Sequence, residues 1–114
     1  MMRNLAILAT TLLTLAGCSG ASNTHEVEMK DNEFEGGDLT LAAGTEVEFD
    51  NEGNNLHNVQ VKQVGGGNGT PTLLDKDLAH EQSVELTLQA GTYHVWCKYH
   101  GAEGSGMHMT ITVQ

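Results

Sequence analysis

The chain has 114 residues, enough for one small domain with a single modest core, and carries fifteen Asp and Glu against five Lys and Arg for a formal net charge of −10. That balance excludes nucleic acid as a partner, because phosphate binding needs basic surface. The acidity is uneven: ten of the acids lie between Glu26 and Glu52, alongside a single lysine. It reads either as solubility and adaptation to salt or as steering toward a basic partner.

Residues 1–17 read as a signal peptide. Arg3 gives the positive n-region, and LAILATTLLTLA is an apolar stretch too short to span a membrane. It runs into Leu15-Ala16-Gly17-Cys18, which resembles a bacterial lipobox with Cys18 as the acylated residue. The expectation is a lipoprotein held on the extracytoplasmic side of a bacterial membrane, periplasmic or outer-surface, through lipid on Cys18. Residues 18–24 would then be a polar tether and 25–114 the folded domain. With Cys18 acylated, Cys97 has no partner for an intramolecular disulfide. A lone thiol in an oxidising compartment needs protection, and coordination to a metal as thiolate is one form of it.

Beyond the tether the pattern has period two, which predicts half-buried strands. Val27 and Met29 alternate with Glu26, Glu28 and Lys30; Val47 and Phe49 with Glu46, Glu48 and Asp50; Val84, Leu86 and Leu88 with Glu85, Thr87 and Gln89. Turn signals at Gly36-Gly37, Ala43-Gly44, 51–55, 65–71 and Ala90-Gly91 separate the runs. Residues 73–80 are the one stretch that reads as a turn of helix, and GGGNGTP reads as a flexible loop. About seven or eight short strands at this spacing predict an all-β Greek-key sandwich.

Strand parity then places the chemistry. His57 shares a face with Val59 and Val61, Cys97 with Tyr93 and Val95, and Met107 with Met109, Ile111 and Val113. His94 and His108 fall on the outward parity of their strands, and His25 and His80 sit in polar surroundings. Cys97 and His100 are spaced C-x-x-H, Met107 follows the next glycines, and His57 comes from a separate segment. Two imidazoles, a thiolate and a weak thioether are the ligand set of a trigonal blue-copper electron-transfer site. Structural zinc takes four strong ligands, and calcium or magnesium takes oxygens.

At these residues the chain resembles the cupredoxins, in particular the plastocyanin, amicyanin and halocyanin-like group. AAGTEVEFDNEG resembles the family's AGT-x-V-x-(F/W)-x-N turn and strand, LHNVQV its His-Asn-Val, AGTYHVWCKYH its G-T-Y-x-x-x-C-x-x-H, and GMHMTITV its Gly-Met and last strand. The resemblance implies one copper ion per chain, held by His57, Cys97 and His100 with Met107 axial, and gives Asn58 the role of tying the two ligand segments together. Three departures stand out. The interval from His100 to Met107 is longer than in amicyanin or plant plastocyanin. Met109 stands where a glycine commonly follows the axial Met. Lys98 and Tyr99 replace a hydroxyl residue and proline, so any tie through Asn58 is expected to run through backbone, and the Lys98 charge is expected to raise the potential.

These readings imply a monomeric, membrane-tethered one-electron carrier, not an enzyme, that exchanges electrons with redox partner proteins of the cytochrome or oxidase class. Two other classes compete. A copper-handling protein that delivers or buffers metal would share the ligands, favoured by flexibility in GAEGSG. A multicopper enzyme domain would need a His-Cys-His run, which is missing.

Overall fold

Alternating apolar and polar residues turn one face of a strand to a core and the other to water. The computed structural model, which describes residues 23–65 and 69–114, builds strands from these alternating segments. The signal peptide, Cys18 and most of the tether lie outside the described residues, as does part of GGGNGTP. The strands are β1 (Thr24–Lys30), β2 (Glu33–Phe34), β3 (Leu39–Leu41), β4 (Glu46–Asn51), β5 (His57–Gln63), β6 (Thr72–Leu78), β7 (Ser83–Thr87), β8 (Gly91–Ala102) and β9 (Ser105–Val113). They pair into a five-stranded sheet in the order β3-β9-β8-β5-β6 and a four-stranded sheet in the order β2-β1-β4-β7. No helix forms among the described residues, and the two-sheet sandwich is the one the alternation predicts. Among the described residues there are nine strands, and two of them, β2 and β3, two and three residues long, are too short to show a period in the sequence.

Residues 73–80 are a correction. They contain most of β6, with Leu78, Asp77, Lys76, Asp75 and Leu74 opposite His57, Asn58, Val59, Gln60 and Val61. Pairing with β5 overrides a weak local signal, because strand preference is set by neighbours more than by the backbone itself. β6 is also a sheet edge. Its run Asp75-Lys76-Asp77 keeps charge on that edge and discourages pairing with another chain.

The core lies between the sheets. Val27, Met29, Val47 and Phe49 from one sheet meet Val59, Val61, Val95, Met109 and Ile111 from the other, all of them buried. Burial of each such side chain stabilises by about 1.5–3 kcal/mol. Phe34 meets Phe49 edge to face at 6.3 Å, a geometry that aromatic quadrupoles favour.

The outer face of the smaller sheet is acidic. Glu26 stands opposite Glu48 and Glu28 opposite Asp50 in the parallel β1–β4 pair, and Glu85 stands opposite Glu48 on β7. Like charges directly across a pair are destabilising. The hydrogen bond to Asp50, and then repulsion from Asp50, push Glu26 up to about 7 from its ordinary 4.5. A carboxyl raised in this way contributes stability that is present below its ordinary value and lost as pH rises through about 7. Glu26→Gln removes the charge and keeps a donor toward Asp50. Its melting temperature should exceed that of the wild type at about pH 8, with the gap closing by about pH 4.5. Equal melting at both pH values would show that this face carries no such repulsion.

Candidate metal centre

The site is built where two neighbouring strands of the larger sheet stop pairing. β5 and β8 are antiparallel, with Gln63 opposite Tyr93 and Gln60 opposite Trp96, where the ladder ends. Past that point the Asn58 N–H donates to Cys97 Sγ at 3.2 Å instead of to backbone. The ladder between β8 and β9 is interrupted at the same level. Trp96 stands opposite His108 and Gly101 opposite Gly106, so residues 97–100 face Met107 alone across a wide bulge. Bulges re-aim side chains, and this one gathers Cys97, His100 and Met107 on one stretch of the sheet.

Beyond the bulge the strands pair again. The stretch GAEGSG, expected to be a flexible loop, is a hairpin in which Ser105 stands opposite Ala102 and Gly106 opposite Gly101. Two glycines allow this. A Cβ on Gly101 would lie 2.6 Å from Met107 N and from Ser105 O, and one on Gly106 would lie 2.7 Å from His100 O. Gly106 also has φ +69°, a region that side chains disfavour. The hairpin tip folds back, and Glu103 Oε2 lies 2.9 Å from His94 Nδ1.

Three donors converge. His57 Nδ1 and His100 Nδ1 are 3.2 Å apart, and Cys97 Sγ lies 3.9 Å from the first and 3.5 Å from the second. His57 and Cys97 are fully buried, while His100 is half-buried. Met107 is buried opposite the ligand-bearing stretch. His94 is half-buried and His108 exposed on the outer side, His25 is half-buried, and His80 is exposed with Nδ1 2.6 Å from the Gly53 carbonyl.

One residue of the site has no sequence signal. Asp31, in the turn after β1, places Oδ1 3.3 Å from His57 Nε2. The same oxygen accepts the Asn54 and Asn55 N–H groups at 2.9 Å each. The Asn55 N–H is the main cause holding the Asp31 carboxyl below its ordinary range, with the bond to His57 adding to it. Burial pushes His57 below its ordinary value, against the opposing pull of Asp31. An Nε2–H bonded to a carboxylate fixes the tautomer, leaving the Nδ1 lone pair free for a metal.

This donor set fits a copper ion. Thiolate is a soft ligand suited to copper, and imidazole suits the same metal. Donors 3.2–3.9 Å apart are close enough to share one ion with bonds of about 2.0–2.3 Å. Among the described residues the clustered group is His57, Cys97 and His100, one donor short of the four that structural zinc takes. The Lys98 charge, expected to raise the potential, is offset by Asp75, whose Oδ1 lies 3.6 Å from Lys98 Nζ. The other acidic group, Glu26, Glu48 and Asp50, offers oxygens only and lies on the outer face of the smaller sheet.

Known proteins share this arrangement of strands. Plastocyanin from Prochlorothrix hollandica is 30% identical over 118 residues, covering 97% of this chain and 88% of that one. A reduced amicyanin variant with a Trp-to-Tyr substitution superposes with a TM-score of 0.66 at 26% identity, covering 82% of this chain and 84% of the other. The Cu(I) form of a Met-to-Ala amicyanin variant superposes at 0.63 with 28% identity, over 82% and 84% of the two chains. Residues 4–113 match the family described as the cupredoxin-like domain. Fold and sequence agree, and the chain belongs to the cupredoxin-like family.

Proposed function

We propose that this protein is a lipid-anchored one-electron carrier in which His57, Cys97 and His100, with Met107 as a weak further donor, would hold a single copper ion. The observation that carries the reading is the convergence of two imidazole Nδ1 atoms and one cysteine sulfur in a buried end of the sandwich. Bound copper supplies the redox chemistry, cycling between Cu(I) and Cu(II). The chain supplies a geometry that serves both states. Asp31 holds the His57 ring, the Asn58 N–H meets the Cys97 sulfur, and the hairpin behind His100 is closed by backbone pairing. A donor to the sulfur and the axial ligand both tune the potential.

His57 and Cys97 are sealed from water, so the half-buried His100 ring is the ligand that reaches the surface. Electrons pass through that edge to a docked redox protein, in a small and transient encounter. The acidic surface favours a basic partner. A copper-handling role was favoured only by a flexible GAEGSG, and this stretch is paired as a hairpin. The chain acts as a carrier and not as an enzyme, and it sits on the extracytoplasmic side of a bacterial membrane through Cys18.

Cys18→Ser tests both halves of this reading. The variant should move from the membrane to the soluble fraction, since stable anchoring needs acyl chains. Loaded with copper, it should give a reversible one-electron wave. Membrane retention would rule out the lipid anchor, and rapid surrender of copper to a mild chelator without a reversible wave would favour metal handling. For the axial position, Met107→Leu should keep copper and colour but raise the reduction potential, because losing a neutral donor disfavours Cu(II) more than Cu(I). His108→Ala should change neither. The reverse pattern would move the axial assignment by one residue.

A further inference from the structure

Asn58 follows His57 and is fully buried, and its side chain is bound on all sides. Its Nδ2 donates to Asp75 Oδ1 at 3.0 Å and to Asp77 Oδ1 at 2.7 Å. Its Oδ1 accepts from Gln60 Nε2 at 2.9 Å, and Gln60 Nε2 also donates to Asp75 Oδ1 at 2.6 Å. The two carboxylates come from β6, directly opposite Asn58 and Gln60. Each also reaches the stretch after Cys97. The Tyr99 hydroxyl donates to Asp77 Oδ2 at 2.7 Å, and Lys98 Nζ lies 3.6 Å from Asp75 Oδ1. Two strands that stop pairing with each other are thus joined through a third. The tie expected to run through backbone alone has a second, side-chain route.

We infer that Asp75 and Asp77 are positioning residues of the metal centre, clasping the Asn58 amide on one side and Lys98 and Tyr99 on the other. This rests on the copper reading of His57, Cys97 and His100. The physical reason is local. Residues 97–100 have only Met107 opposite them on β9, and pairing with β5 ends at Trp96. Backbone ladders therefore do not fix the distance between Cys97 and Asn58. Charge-assisted bonds to carboxylates are short and strong, and here they fix it from outside. The Lys98 ammonium has no acceptor for the Asn58 side-chain amide, and the carboxylates of β6 supply one.

The rival explanation is a surface network that only steadies an edge strand. Cutting the clasp on its outer side separates the two. Lys98 and Tyr99 are exposed, so Lys98→Met with Tyr99→Phe leaves the bonds of Asp75 and Asp77 to Asn58 and Gln60 in place and does not threaten the fold. In the copper-free protein, hydrogen exchange at the Asn58 amide should speed up about tenfold, as expected for loss of charge-assisted bonds. With copper, affinity measured against a competing chelator should fall by about tenfold, as for other outlying partners of metal ligands. The thiolate absorption should also shift in wavelength. Lys98→Arg, which keeps the ion pair, should behave as wild type. Unchanged exchange at Asn58 overturns the clasp, whatever the copper does. A wild type that binds no copper removes the functional reading instead, and the exchange measurement still decides the clasp.

Discussion

Cys97→Ser should abolish visible thiolate-to-copper absorption while leaving the sandwich folded. The sulfur is fully buried and is the one sulfur among the three clustered donors. Serine is smaller, cannot ionise near neutral pH, and offers copper a harder and weaker donor. Loss of a direct ligand should weaken copper binding by more than the about 10–100-fold that outlying partners cost. The Asn58 N–H, now donating to the sulfur, could still meet a hydroxyl, so the circular dichroism of the copper-free form should be unchanged. Measured together, the visible spectrum and the chelator-competition affinity check this result. A variant that keeps the intense band would mean that another group holds the copper.

The second large effect belongs to Asn51, which ends β4 and is fully buried. Its Nδ2 donates to the Asn55 carbonyl at 2.9 Å and to the Leu78 carbonyl at 2.8 Å, and its Oδ1 accepts the Gly53 N–H at 2.9 Å. These bonds shape the 51–56 turn that delivers His57, and the same turn carries the Asn54 and Asn55 N–H groups that hold Asp31 against the ring. Asn51→Ala should destabilise the domain by about 3 kcal/mol, since its two buried bonds are worth about 1 kcal/mol each and the buried Leu78 carbonyl left without this donor adds its own penalty. For a domain of this size that lowers the melting temperature by about 12–20 °C. Copper binding should weaken as well, because both His57 and its carboxylate support depend on the turn. A loss under about 1 kcal/mol would mean that water replaces the amide.

The candidate metal-binding residues were legible because their signals are local. C-x-x-H lies within four residues, His-Asn-Val opens an alternating strand, and parity placed Met107 inward and His108 outward even though the β8–β9 register shifts between Gly106 and His108. The supporting residues were not legible, because each depends on a contact far along the chain. Asp31 reaches a histidine 26 residues away. Asp75 and Asp77 matter only because residues 72–78 form a strand beside β5, and Leu-Leu-Asp-Lys-Asp-Leu has no clean alternation. By the alternation of faces along β5, Asn58 and Gln60 belong to the side away from the core. They do point away from it, yet they are buried beneath the carboxylates of β6. The hairpin at 101–106 was hidden for another reason. Its glycines read as flexibility, whereas Gly101 and Gly106 are there to let two backbones approach closely.

His57, Cys97 and His100 are proposed to form one type 1 copper site. Titration of the metal-free protein with Cu(II), followed by visible absorption, tests it most directly. An intense band toward the red end of the visible range should grow linearly and stop at one copper per chain. A colourless Cu(II) complex, or a band that keeps growing past one equivalent, would contradict it.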